Sequence, residues 1–205
     1  MASSATRRRG QPRTKPGEER RRDLLDAGLA VFTRRGVAAA TLDDVVREAG
    51  VAKGTFYLYF PSKEHLLLAL QREFEVNLVA RIDAAVAAAG DDWADRLDAW
   101  VVAVFTDFPP GRAQHDVLYH HPVDTHDTAD DEPAHRDLVD SLGDVIDGGI
   151  AAGTFHVADP ELTTVLLCGA MHRAFDRIWH RDEMNDTPRL VRATKDLFHA
   201  AVGLS

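Results

Sequence analysis

The sequence predicts an all-α protein of about nine helices, with a three-helix head over residues 18–64 and a larger helical body over residues 65–205. Three observations carry that prediction. Apolar residues recur at spacings of three and four through nearly every segment, and no strand alternation or internal repeat competes with that pattern. Glycines and prolines stand where the periodic runs end. Charge then separates the two parts. Residues 1–64 hold 13 Lys and Arg against 8 Asp and Glu, whereas residues 65–205 hold 11 against 25, within a formal net charge of −9. A chain of 205 residues is long enough to give each part a core of its own.

The first 17 residues are rich in Arg, Ser, Pro and Gly and almost free of apolar side chains, so they are expected to form a disordered basic arm. Arg7, Arg8, Arg9, Arg13 and Lys15 would let it follow a polyanion, or merely keep the chain soluble. No apolar stretch follows the arginines, so the arm does not read as a secretory signal. From Arg20 to Gly36, Leu24, Leu25, Ala27, Leu29, Val31 and Phe32 give the apolar stripe of a first helix. A second opens at Thr41, whose hydroxyl can cap it while Asp44 reaches back, and Leu42, Val45, Val46 and Ala49 share one face. Gly50 stops it. After Val51 and Ala52, Lys53 to Phe60 reads as about two helical turns ended by Pro61, with Phe56 and Phe60 facing inward. A long helix then runs from Ser62 toward Gly90, carrying Leu66, Leu67, Leu70, Phe74, Leu78 and Ile82. Further helices are expected over about 93–108, 113–121, 134–152, 161–180 and 188–202. The one before residue 109 is stopped by Pro109, Pro110 and Gly111, and the one near 160 is opened by Asp159 and Pro160.

Two short helices around a tight turn, between Thr41 and Phe60, form a helix-turn-helix. With Phe56 and Phe60 inward, Lys53, Thr55, Tyr57 and Tyr59 crowd the other side of the second helix. Any one of them alone would be ordinary. Together they form a set of hydroxyls, phenols and a cation suited to holding phosphates and entering a DNA major groove. A basic head on an acidic body fits the same use, because the body is repelled by the polyanion that the head binds.

The run Thr41, Val45, Val46, Ala49, Gly50, Val51, Ala52, Lys53, Gly54, Thr55, Tyr57, Tyr59, Phe60, Ser62, Lys63, Glu64 and Leu66 resembles the signature of the tetracycline-repressor (TetR) family of bacterial transcription regulators. At motif level the resemblance covers roughly residues 20 to 70. It implies that Thr41, Lys53, Gly54, Thr55, Tyr57, Tyr59 and Lys63 meet operator DNA, with Tyr57, Tyr59 and Lys63 on phosphates and Lys53 and Thr55 within reach of base edges. Two positions depart from the pattern. Ala52 replaces the usual serine and loses a side-chain cap, and Leu58 stands where a polar residue is common. Leu58 is open to two readings, contact with a thymine methyl or plain packing.

The same resemblance implies a homodimer, a small-molecule effector and no enzymatic activity. The last two helices carry broad apolar faces, and the resemblance places the dimer interface there, at Leu162, Val165, Leu166, Gly169, Leu190, Leu197, Phe198 and Ala201. It places an effector pocket among the middle helices, for which Trp100, Phe105, Phe108, Leu118, Tyr119, Leu142, Ile146, Met171 and Phe175 are candidates. All ten histidines follow residue 64. His115, His120, His121, His126 and His172 give a metal-sensing repressor as an alternative, with a divalent metal as the effector. A metal-dependent phosphohydrolase built on His-Asp pairs is a weaker alternative, because it leaves the Lys53 to Lys63 surface without a use. Neither Ser62 nor Ser141 has an activating motif around it. The single cysteine, Cys168, lies in an apolar run and excludes an intramolecular disulfide framework. With no apolar run of transmembrane length, the expected location is the cytoplasm.

Overall fold

The computed structural model describes residues 16–107, 117, 138–179 and 187–204. Among the described residues every regular element is helical, and eight helices follow in order. They are α1 (Gly17–Arg35), α2 (Leu42–Glu48), α3 (Lys53–Phe56), α4 (Lys63–Ala88), α5 (Trp93–Asp107), α6 (Leu138–Ala151), α7 (Pro160–Trp179) and α8 (Thr187–Ala201). The short helix expected over 113–121 lies, apart from Val117, outside the described residues, as does nearly all of the basic arm.

Two boundaries differ from the sequence reading. α1 begins at Gly17, not at Arg20, so the last residue assigned to the arm belongs to the helix. Pro16 supplies the helix-entry geometry, its carbonyl accepts from Arg20 N–H at 3.1 Å, and Glu18 and Glu19 complement the positive end of the helix. α3 is a single turn, shorter than the two turns expected. Beyond Phe56 the chain tightens: Leu58 N–H donates to the Thr55 carbonyl and Tyr59 N–H to that of Phe56. These are bonds across three residues, as in a 3₁₀ turn. Pro61 then disfavours helical geometry at Phe60.

One contiguous apolar core runs through head and body, with α4 as the element common to both. At its head end Leu66 and Leu67 are fully buried with Leu24, Val31 and Phe32 of α1 and Phe56 of α3. Farther along, Phe74, Leu78 and Ile82 join Leu97, Trp100, Val101 and Val104 of α5. Ser62 caps α4 by accepting from His65 N–H at 3.3 Å.

In the body a polar chain, buried at Trp100 and Ser141 and half-buried at Asp83, ties three helices. Trp100 Nε1 of α5 donates to Ser141 Oγ of α6 at 3.1 Å, and Ser141 Oγ donates to Asp83 Oδ1 of α4 at 2.8 Å. The Trp100 ring also stacks on Phe198 of α8, with centroids 6.1 Å apart. A second tie joins α5 to α8, where Asp98 accepts from Lys195 at 2.9 Å and lies 2.8 Å from His199 Nε2. Where α6 ends, Phe155 is buried directly over Gly149, so closely that a Cβ at 149 would run into its ring. Gly149→Ala is therefore expected to destabilise the chain by about 1–3 kcal/mol through overpacking, read as a lower urea midpoint with an unchanged slope. No helix among the described residues is long and apolar enough to cross a membrane.

Candidate nucleic-acid interface

The site is built on a firmly capped α2. Thr41 Oγ donates to Asp44 Oδ2 at 2.7 Å and accepts from Asp44 N–H at 3.2 Å, while Thr41 N–H donates to the same carboxylate at 3.2 Å. This is the reciprocal cap that Thr41 and Asp44 predict. Arg35 and Arg47 add ion pairs to Asp44 at 3.0 and 3.2 Å. The hydrogen bonds from Thr41, reinforced by both arginines, hold the Asp44 carboxyl below the usual carboxylate range. Its folded pKa is depressed, so the stabilisation is present above the unfolded value, near 4, and is lost as pH falls through the folded value. Wild type is expected to lose stability along that acid limb, and Asp44→Asn to remove this group's share of the slope, in urea unfolding from pH 7 to 3.

After α2 the chain turns at Gly50, whose φ of 65° is readily adopted only without a side chain. Val51 N–H donates to the Val46 carbonyl at 3.0 Å and closes the turn. α3 then starts without a side-chain cap, as Ala52 predicts. Phe56 and Phe60 are buried, their ring centroids 5.7 Å apart, and seat the turn on the core.

The seven positions expected to meet DNA are placed differently from one another. Lys53 and Gly54 are exposed, Thr55 is half-buried, and Tyr57 is 54% exposed. Lys53 Nζ is paired with Asp43 of α2 at 2.8 Å. That hydrogen bond raises the lysine pKa, so it stays a cation at neutral pH. Tyr59 is half-buried and packs against the core, with its hydroxyl close to Gly17 at the start of α1. Thr41 is exposed, but its hydroxyl is engaged in the α2 cap.

Lys63 departs most from the expectation of a phosphate contact. Its Nζ turns into the protein and donates to the carbonyls of Val37 (2.8 Å) and Ala40 (3.0 Å), bracing the α1–α2 connection against the start of α4. Two roles were missed in the sequence: this brace, and Asp43 as the partner of Lys53. An acidic residue in the first turn of α2 was the available signal for the second. Leu58 is 79% exposed, which removes the packing reading of that side chain.

In the body, Trp100, Phe105, Leu142, Ile146 and Met171 are buried as core. Phe108, Leu118, Tyr119 and the Phe175 side chain lie outside the described residues. So do His115, His120, His121 and His126, whereas His172 is exposed on α7. Among the described residues no three His, Cys, Asp or Glu side chains are grouped to hold a metal ion. Along α7, Leu162, Val165, Leu166 and Gly169 are exposed on one stripe, and Leu197 of α8 is exposed as well. Leu190 and Phe198 are corrections to the expected dimer face. Both are buried, because Leu190, Thr194 and Phe198 line the edge of α8 that packs inward, with Val202 continuing it just past the helix. Ala201 is half-buried between these two edges.

The geometry defines a helix-turn-helix head joined to an all-helical body through one shared helix. Residues 24–70 match the family described as bacterial regulatory proteins, tetR family. That stretch, from α1 into α4, therefore carries the DNA-binding head of that family. It is 49% identical over 73 residues to the HTH-type transcriptional repressor KstR of Mycolicibacterium smegmatis, covering 35% of each chain. It is 40% identical over 90 residues to the HTH-type transcriptional activator FasR of the same organism, covering 44% of this chain and 41% of that one. These matches span about a third to two-fifths of the relatives' length. The whole-chain fold is similar to that of the transcriptional regulator FadR from Bacillus subtilis, solved in complex with stearoyl-CoA. The TM-score is 0.62 at 18% identity, covering 88% of this chain and 98% of that one.

Proposed function

We propose that the protein is a ligand-responsive transcriptional regulator of the cytoplasm that binds a palindromic DNA operator as a homodimer and is released by a small-molecule effector. The observation that carries this reading is the seating of α3. Buried Phe56 and Phe60 fix a single turn whose outer side presents Lys53, Gly54, Tyr57 and Leu58 to solvent. Tyr57 and Lys53 suit phosphate and base-edge contacts, with Thr55 beside them. A phosphate can draw Lys53 away from Asp43, since a pair between two exposed side chains holds weakly.

The exposed stripe of Leu162, Val165 and Leu166, with Gly169 allowing close approach and Leu197 beside it, supports two-fold self-association. Two heads fixed in one dimer would read half-sites about one DNA turn apart. FadR, which shares this fold, was solved in complex with stearoyl-CoA, and that supports a small-molecule effector for this chain. Repression is the direction we assign, because a dimer seated on promoter DNA occludes it. The head does not set that direction, since it is similar to those of a repressor and an activator alike.

Selection of DNA from a random pool by the purified chain, over a salt series and with EDTA or zinc, tests the proposal. The expected result is a two-fold symmetric site whose affinity falls steeply with salt. Failure to select any sequence in every condition would overturn it. Loss of binding on adding zinc, reversed by EDTA, would make a metal the effector.

A further inference from the structure

We propose that Leu58 reads the C5-methyl group of a thymine in each operator half-site, and that Gly54 provides the gap through which that base edge approaches. The inference rests on the DNA-binding reading above and makes it specific.

Two observations carry it. Leu58 is 79% exposed, more than any other large apolar side chain identified as exposed among the described residues. It stands on the outer side of a turn whose other apolar residues, Phe56 and Phe60, are buried. A leucine so placed gains nothing from the protein's own core, so its apolar surface is available to an outside partner. In the major groove the thymine methyl is the apolar feature of a base edge, and apolar side chains recognise it by contact.

Gly54 is the second observation. Its φ is not in the left-handed region, and a Cβ built there meets nothing within 4 Å among the described residues. Neither turn geometry nor internal packing therefore calls for glycine at a helical position, where it is less favourable than alanine. Gly54 lies four residues before Leu58, one turn away, beside the exposed Lys53. A bare backbone flanked by an apolar side chain and a cation fits the close approach of a base edge, with a phosphate or base acceptor for the lysine.

The test uses the full chain and its selected operator. Each dT is replaced singly by dU, which removes one methyl group and leaves the hydrogen-bonding edge unchanged. Affinity is measured for wild type and Leu58→Ala. At one position per half-site, dU is expected to weaken wild type about four-fold, as for loss of one buried methyl-sized group, and to leave Leu58→Ala unaffected. Gly54→Ala, with room for its Cβ inside the protein, is expected to keep the melting temperature and lose the response at the same position. Wild type indifferent to dU everywhere, or a position equally sensitive in Leu58→Ala, would overturn the proposal while leaving DNA binding intact. If no operator is selected in the first place, the underlying reading fails before any dU is introduced.

Discussion

Leu166→Asp is expected to leave each chain folded and to abolish tight operator binding. The side chain is 62% exposed in the isolated chain, so a carboxylate there is solvated and the helical content of α7 should be unchanged in circular dichroism. In a two-fold interface the same substitution acts twice, placing two desolvated charges against an apolar stripe that includes Leu162 and Val165. Sedimentation should then report a monomer. Because a dimer turns the second half-site contact into an intramolecular event, its loss is expected to weaken binding to a palindromic site about 100-fold or more. Weak, salt-sensitive binding to any DNA should survive, since each head keeps its own cations. A variant that still sediments as a dimer would place the interface elsewhere.

Trp100→Ala should produce the largest loss of stability in the body, about 3–5 kcal/mol. Trp100 is fully buried, stacks on Phe198 and donates to Ser141, which in turn donates to Asp83. Truncation removes the ring from the junction of α5, α6 and α8 and takes the indole donor from Ser141. Trp100→Phe separates these effects, because it keeps most of the apolar volume and loses the donor; about 1 kcal/mol is expected from the missing hydrogen bond. Urea unfolding at fixed protein concentration measures both. Equal losses in the two variants would show that the polar chain, and not the ring volume, holds the junction.

The parts of the fold legible in the sequence are those governed by neighbours along the chain. Thr41 and Asp44 announce the cap of α2, Gly50 its end, Ser62 the start of α4, and the four-residue spacing of Phe56 and Phe60 the buried side of the turn. The sequence reads α3 a turn too long because residues 57–60 keep a helix-like spacing while the hydrogen bonds of Leu58 and Tyr59 tighten to three residues. The periodic pattern does not separate those two geometries. On α8 the apolar stripe is wider than the surface the core takes. From periodicity alone Leu190 and Phe198 look the same as Leu197, and only packing against Trp100 and its neighbours divides them.

Long-range polar ties were less legible still. Lys63 meets carbonyls 23 and 26 residues earlier, and Asp98 meets Lys195 and His199 across about a hundred residues. Backbone carbonyls carry no sequence signature, so a lysine that braces a loop reads as a lysine free to meet phosphate. The motif singles out Lys63 for a phosphate, whereas its ammonium faces the protein.

α4 is one uninterrupted helix of 26 residues, beginning beside the brace at Lys63 and ending at the Gly90 turn. At 1.5 Å per residue it is a rod about 39 Å long. If the body tips one end of such a rod by about 5°, the other end moves by about 3 Å, close to the 3.4 Å step from one base pair to the next along a strand of duplex DNA. In the proposed dimer, a displacement of that size in each of two heads would put them out of step with their half-sites, and the body would control the head without reshaping α2 or α3.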